Sequence, residues 1–123
     1  MKIISKEQSD FVVKPTGIKT NYYLFPEYEV HYNEQPPGTE QDWHHHEKIS
    51  ETVFIIEGEL RLFWREDHEE KSQIVKAGDT IQTENTPHSF TNESKDIVKF
   101  IVIKQVLKGE NNQELFKKDK IID

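Results

Sequence analysis

The stretch Gly38-Thr39-Glu40-Gln41-Asp42-Trp43-His44-His45-His46-Glu47-Lys48-Ile49-Ser50-Glu51 places three consecutive histidines five positions ahead of a glutamate, and Gly58 closes the segment. Neighbouring residues of an extended chain point to opposite faces, so His44 and His46 share one face while His45 turns away. Two imidazoles and a carboxylate are three of the donors that hold a divalent metal ion, and His88 offers a fourth further along. The chain has no cysteine, which rules out disulfides, thiolate metal sites and a cysteine nucleophile. One divalent transition metal held by nitrogen and oxygen is therefore expected: iron, manganese, nickel, cobalt, copper or zinc.

Outward from this stretch the chain reads as strands and turns. Val53-Phe54-Ile55-Ile56 belongs to a β-branched and aromatic run from Thr52, closed by Glu57-Gly58. Tyr22 to Tyr32 is β-rich and broken by Pro26, and Gln35-Pro36-Pro37-Gly38 is a turn. Leu60–Trp64 and Gln73–Ala77 are expected to pair around a polar Glu66–Glu70 connection. Thr80–Thr83 and His88–Thr91 flank a tight link, and Ile97–Leu107 is the longest strand candidate. Short strands at regular spacing with Gly and Pro turns imply an all-β, antiparallel sandwich or barrel. Residues 111–123 are highly charged and read as a terminal strand, a short helix or a frayed end. The Val53–Ile56 run is apolar on both faces, so its second face needs a cover. The N-terminal strands or a second copy in a homodimer would supply it, and the homodimer is the expectation.

At 123 residues the chain is expected to be one domain, 1–123. Its net charge of −7 repels polyanions over most of the surface, which excludes nucleic acid as a partner. No apolar stretch has the length of a signal peptide or a membrane span, so no membrane partner and a cytoplasmic location are expected.

The spacing of Gly38, His44, His46, Glu51 and Gly58 resembles the first motif of the cupin superfamily. Gly78, Pro87-His88 and Asn92 resemble its second motif, so the resemblance spans residues 38–92. It implies a double-stranded β-helix, an antiparallel jelly-roll barrel, with His44, His46, Glu51 and His88 as metal ligands. One departure stands out: the Pro-any-Gly that usually precedes the second-motif histidine is replaced by Thr83-Glu84-Asn85. Asn85 is the residue expected to take the glycine's positive φ.

Three imidazoles and one carboxylate leave coordination positions open, as a catalytic site requires. Parity places Val53, Ile55 and Phe90 around the ion with Gln82 beside them, forming an apolar wall, while Trp43 is a candidate for ligand stacking. Gly58, Gly78 and Asn92 read as turn residues, and His31 and His68 as solvated or structural. The resemblance implies a small-molecule metalloenzyme of dioxygenase type, with the substrate chelating the ion through adjacent oxygens. Glu51 then serves as ligand and as base. A non-catalytic ligand-binding or sensor module and a metal-dependent sugar isomerase are the other readings. A basic cluster at the mouth would favour the isomerase, and the basic residues near the motifs are Lys48, Arg61 and Arg65.

Overall fold

The computed structural model describes residues 1–106, 112–119 and 121–122. Among them lie β1 (Asp10–Val13), β2 (Lys19–Leu24), β3 (Tyr28–Gln35), β4 (Ile49–Glu57), β5 (Glu59–Glu66), β6 (Glu69–Lys76), β7 (Thr80–Gln82), β8 (His88–Thr91), β9 (Val98–Val106) and one short helix, α1 (Gln113–Lys118). A six-stranded sheet runs β1-β2-β3-β9-β4-β7, a three-stranded sheet runs β6-β5-β8, and the pairings are antiparallel. Backbone pairing does not join the two sheets into a closed barrel. They share one core instead, built from Val53, Ile55, Leu60, Leu62, Val75, Phe90, Val98, Phe100 and Val102. None of the helices among the described residues is long and apolar enough to cross a membrane.

Several boundaries differ from the sequence reading for local reasons. The Tyr22–Tyr32 stretch is two strands, with Pro26 in the turn between them. The β5–β6 hairpin is longer than expected, pairing as far as Glu66↔Glu69. Asp67 and His68 both take positive φ, 51° and 63°, and such a two-residue turn matches the twist of the flanking strands. Before His88 the left-handed residue is Glu84, at φ 54°, rather than Asn85. The described part of the 111–123 tail forms the helix α1, and Leu107 lies outside the described residues.

Period-two alternation assigns each strand its inner face, and β3 does so against its apolar pattern. His31, Asn33 and Gln35 are buried, while Val30 and Tyr32 point to the other side. The register fixes this choice: His31 pairs with Val102 and Asn33 with Phe100, both in the core. Its polar atoms are met internally. Thr20 Oγ1 donates to Asn33 Oδ1 at 2.7 Å, and the Gln35 amide donates to the Phe90 carbonyl at 3.2 Å. Asn92 is fully buried and its amide donates to the carbonyls of Gln35 and Asp96, so it clamps β3 to the loop after β8 as well as forming a turn.

Gly58 joins β4 to β5 at φ +87°, where an added Cβ would sit 3.0 Å from Val98 Cγ2. Both the backbone angle and the close approach of β9 require glycine there. The N-terminal strands extend the large sheet rather than covering its outer face, since Asp10 pairs with Tyr22 at the edge. Phe11, Phe54 and Ile56 stay exposed.

Candidate metal centre

Glu51 is the first buried residue of β4, and it faces inward because Val53 and Ile55 follow it on the core side. His88 opens β8, buried beside it. His44 and His46 are not strand neighbours as expected; they lie in the extended segment ahead of β4. That segment runs along the free edge of β8. His44 and His88 exchange both backbone hydrogen bonds, at 3.1 and 3.0 Å, and the Gln41 N–H donates to the Phe90 carbonyl. A sheet edge left open by β8 therefore carries the first two histidines to the other two groups.

The side chains converge on one carboxylate. His46 Nε2 lies 3.0 Å from Glu51 Oε2, His88 Nε2 3.1 Å from Oε1 and His44 Nε2 3.9 Å from Oε1. Donor atoms of His44, His46 and Glu51 all fall within 4.8 Å of one another. His88 stands outside that tight trio but against the same carboxylate, its ring centroid 4.4 Å from that of His44.

The second nitrogens show what this arrangement suits. Nδ1 of His44 donates to the Asp42 carbonyl at 2.8 Å and Nδ1 of His88 to the Thr86 carbonyl at 2.7 Å. A carbonyl only accepts, so each Nδ1 carries the proton and each Nε2 is left with its lone pair. Those lone pairs face an acceptor-only carboxylate, an arrangement that needs a proton or a cation between the groups. Anchored Nδ1–H groups with inward Nε2 atoms are how metal-binding histidines are held, so the donor set fits a divalent ion.

Burial pushes the Glu51 carboxyl pKa up, but the His44 and His88 imidazoles and the Lys104 ammonium around it outweigh that. The result lies far below the ordinary carboxylate range. Glu51 is thus an anion ready to ligate, and a weak base while it is so held. The Glu51 carboxylate, 3.9 Å away, raises the proton affinity of His44 against its burial. Protons therefore compete with the ion at His44 to a higher pH than at an ordinary imidazole. Metal affinity is expected to rise with pH through about 6.5 and to keep rising somewhat above it. Competition titrations with a chelating dye at several pH values check this, and a flat profile would contradict it.

The other candidates divide. Val53 and Phe90 line a cavity of about 70 Å³ together with His44 and Glu51, while Ile55 is fully buried in the core behind it. Gln82 does not face inward: it pairs with Thr52 on the outer side of β4, is exposed, and donates to Ser50 Oγ at 3.3 Å. Register shifted the parity, because Ile81 and not Gln82 stands opposite Val53. Trp43 lies at the surface under the Arg65 guanidinium, 4.1 Å above its ring, and outside the cavity lining. His45 faces away, 3.5 Å from Glu47. His31 is buried and bonded to Glu29, not solvated, while His68 is exposed in its turn.

Sequence reasoning missed the polar half of the cavity. Lys14, His31, Asn33, Gln41 and Lys104 line it together with the apolar Ile18, Val53, Phe90, Phe100 and Val102. Lys104 was legible, since it continues the inward parity of Phe100 and Val102. Lys14 sits in the β1–β2 turn and has no such signal. A larger recess of about 520 Å³, lined also by Pro15, Thr16 and Asp42, adjoins the cavity and shares Lys14, Ile18, Gln41 and His44 with it. A wider cleft between β6 and β7 touches His88 but none of the other three donors.

An antiparallel two-sheet fold carrying inward-facing histidines and a glutamate defines a β-rich protein with a candidate divalent-metal centre. Residues 29–104 match the cupin domain family, and the chain belongs to it. No curated protein matches the sequence. Among solved structures, the chain is similar to the Drosophila melanogaster CENP-C bound to CAL1, with TM-score 0.73 and 16% identity over 84% of this chain and 85% of that one. The FeII HppE structure gives TM-score 0.69 and 16% identity over 85% of this chain and 60% of that one. A predicted oxalate decarboxylase from Thermotoga maritima gives TM-score 0.69 and 19% identity over 86% of this chain and all of that one (100%). At these identities the likeness concerns the fold.

Proposed function

We propose that this protein is a divalent-metal-dependent enzyme of dioxygenase type, acting on a small organic molecule that chelates the ion through adjacent oxygens. The observation that carries this reading is the convergence of three imidazole Nε2 atoms on the buried Glu51 carboxylate, beside a closed-in cavity. His44, His46, His88 and Glu51 hold the ion, which supplies Lewis acidity and, for a redox metal, access to oxygen chemistry. Val53, Phe90, Phe100 and Val102 keep bulk water from its inner side. The inner cavity of about 70 Å³ takes a group of a few atoms next to the ion, and the adjoining recess of about 520 Å³ has room for the rest of the substrate. The FeII HppE structure and the predicted oxalate decarboxylase share the fold, which is compatible with metal chemistry on a small acid.

The CENP-C cupin, whose structure was determined with a protein partner, favours a second reading as a non-catalytic binding module. Loading the metal-free protein with iron, manganese, nickel, copper or zinc and measuring oxygen uptake with small chelating substrates separates the two. Uptake with at least one redox metal is expected and zinc is expected to be inactive. Silence with every metal would leave the binding module or the metal-dependent sugar isomerase. We read the two sheets as halves of a jelly roll, and the outer row Phe11, Asn21, Tyr32, Ile101 and Phe54, aligned by register and apolar except at Asn21, as the face on which a second copy packs.

A further inference from the structure

The cavity is more cationic than the chain that surrounds it. On the inner face of the large sheet, register aligns Glu29, Lys104 and Glu51 in a single cross-strand row. Lys104 Nζ lies 3.8 Å from Glu51 Oε2, a loose ion pair beyond hydrogen-bond range. Glu29 is already engaged, its Oε1 2.8 Å from His31 Nε2. From the opposite side Lys14 reaches the same cavity; it is half-buried, makes no ion pair among the described residues, and feels Glu51 and Asp42 only at longer range. A lysine held against an apolar wall without a partner is costly unless an anion meets it.

We propose that Lys14 and Lys104 form an anion subsite that selects a small carboxylate as the molecule meeting the ion. This rests on the metal reading above. With the imidazoles neutral, Glu51, Glu29 and Asp42 outnumber the two lysines by one charge, and a bound divalent ion reverses the sign. The loaded site therefore attracts a carboxylate while the metal-free one repels it. An ion engaged by Glu51 also draws that carboxylate away from Lys104, freeing the ammonium for the incoming anion. The apolar floor of Val53, Phe100 and Val102 takes the carbon skeleton, while the Asn33 and Gln41 amides beside it are held by the His31 carbonyl and Gln35 Oε1. A chelating acid with an oxygen next to its carboxylate satisfies both halves of the site.

Calorimetric titration of manganese-loaded protein with lactate and with lactamide tests this, because the two differ in charge and hardly in shape. Lactate is expected to bind at least about tenfold more tightly than lactamide, and the metal-free protein to bind neither. Lys104→Gln and Lys14→Gln are each expected to weaken lactate on the order of tenfold while leaving lactamide unchanged. Lys104→Gln should take up manganese as well as the parent or more tightly, since a like charge is removed; a purely structural lysine would weaken both ligands together. Lys99→Gln, on the outer face beside Glu57, should change nothing. Equal affinity for acid and amide, or a loss as large in Lys99→Gln, overturns the carboxylate subsite alone. Failure of the parent protein to load any manganese overturns the metal reading and this one with it.

Discussion

Replacing Glu51 with alanine is expected to abolish metal loading, lowering affinity by at least about 100-fold. Glu51 supplies the anionic ligand among the candidate donors, and three neutral imidazoles alone leave the charge of a divalent ion unbalanced. The substitution also removes the group toward which all three Nε2 atoms point, so the surviving histidines lose their common focus. Metal content after gel filtration, read by plasma mass spectrometry, should fall from near one equivalent to near zero. His46→Ala should follow it, whereas His45→Ala should retain the ion because that ring faces Glu47 at the surface. Metal content unchanged in both Glu51→Ala and His46→Ala would remove the ligand assignment. Folding is monitored alongside by circular dichroism, so that loss of metal is separated from loss of structure.

Phe90→Ala is expected to cost about 3–5 kcal/mol of stability, the cost of emptying a large core position that cannot collapse. Phe90 is 1% exposed, sits on β8 between the two sheets and meets His88 edge-to-face with ring centroids 5.9 Å apart. Its backbone carbonyl also receives the Gln41 N–H and the Gln35 amide, so β8, the histidine segment and β3 meet at this residue. Urea denaturation of the metal-free protein measures the loss, with Phe90→Leu expected to lose much less. A loss under about 1 kcal/mol for the alanine variant would show that the sheets do not pack around this ring.

The four candidate donors were legible in the chain because they stand at motif spacing and are residue types that ligate metals. The run Thr52–Ile56 was legible as a strand because β-branched and aromatic residues crowd it. Where local pattern and register disagreed, register won. β3 reads as if Val30 and Tyr32 were its core face, yet pairing with β9 turns His31, Asn33 and Gln35 inward. A one-residue offset does the same to Gln82. Neither error is visible from one strand alone, because period two leaves the choice of face open until a partner strand is in place.

By its sequence alone this protein was determined to be β-rich, free of cysteine chemistry, acidic overall and equipped with histidine and glutamate donors at a recognisable spacing. Those properties depend on residue identity and on neighbours a few positions away. The tertiary structure alone decided that the histidine segment would dock on the open edge of β8, and that Lys14 and Lys104 would enter the cavity from opposite sides. It also decided that the cavity would be half polar and small. These outcomes bring to one cavity residues as much as 90 positions apart, Lys14 and Lys104, and closing such long loops is something no local pattern encodes.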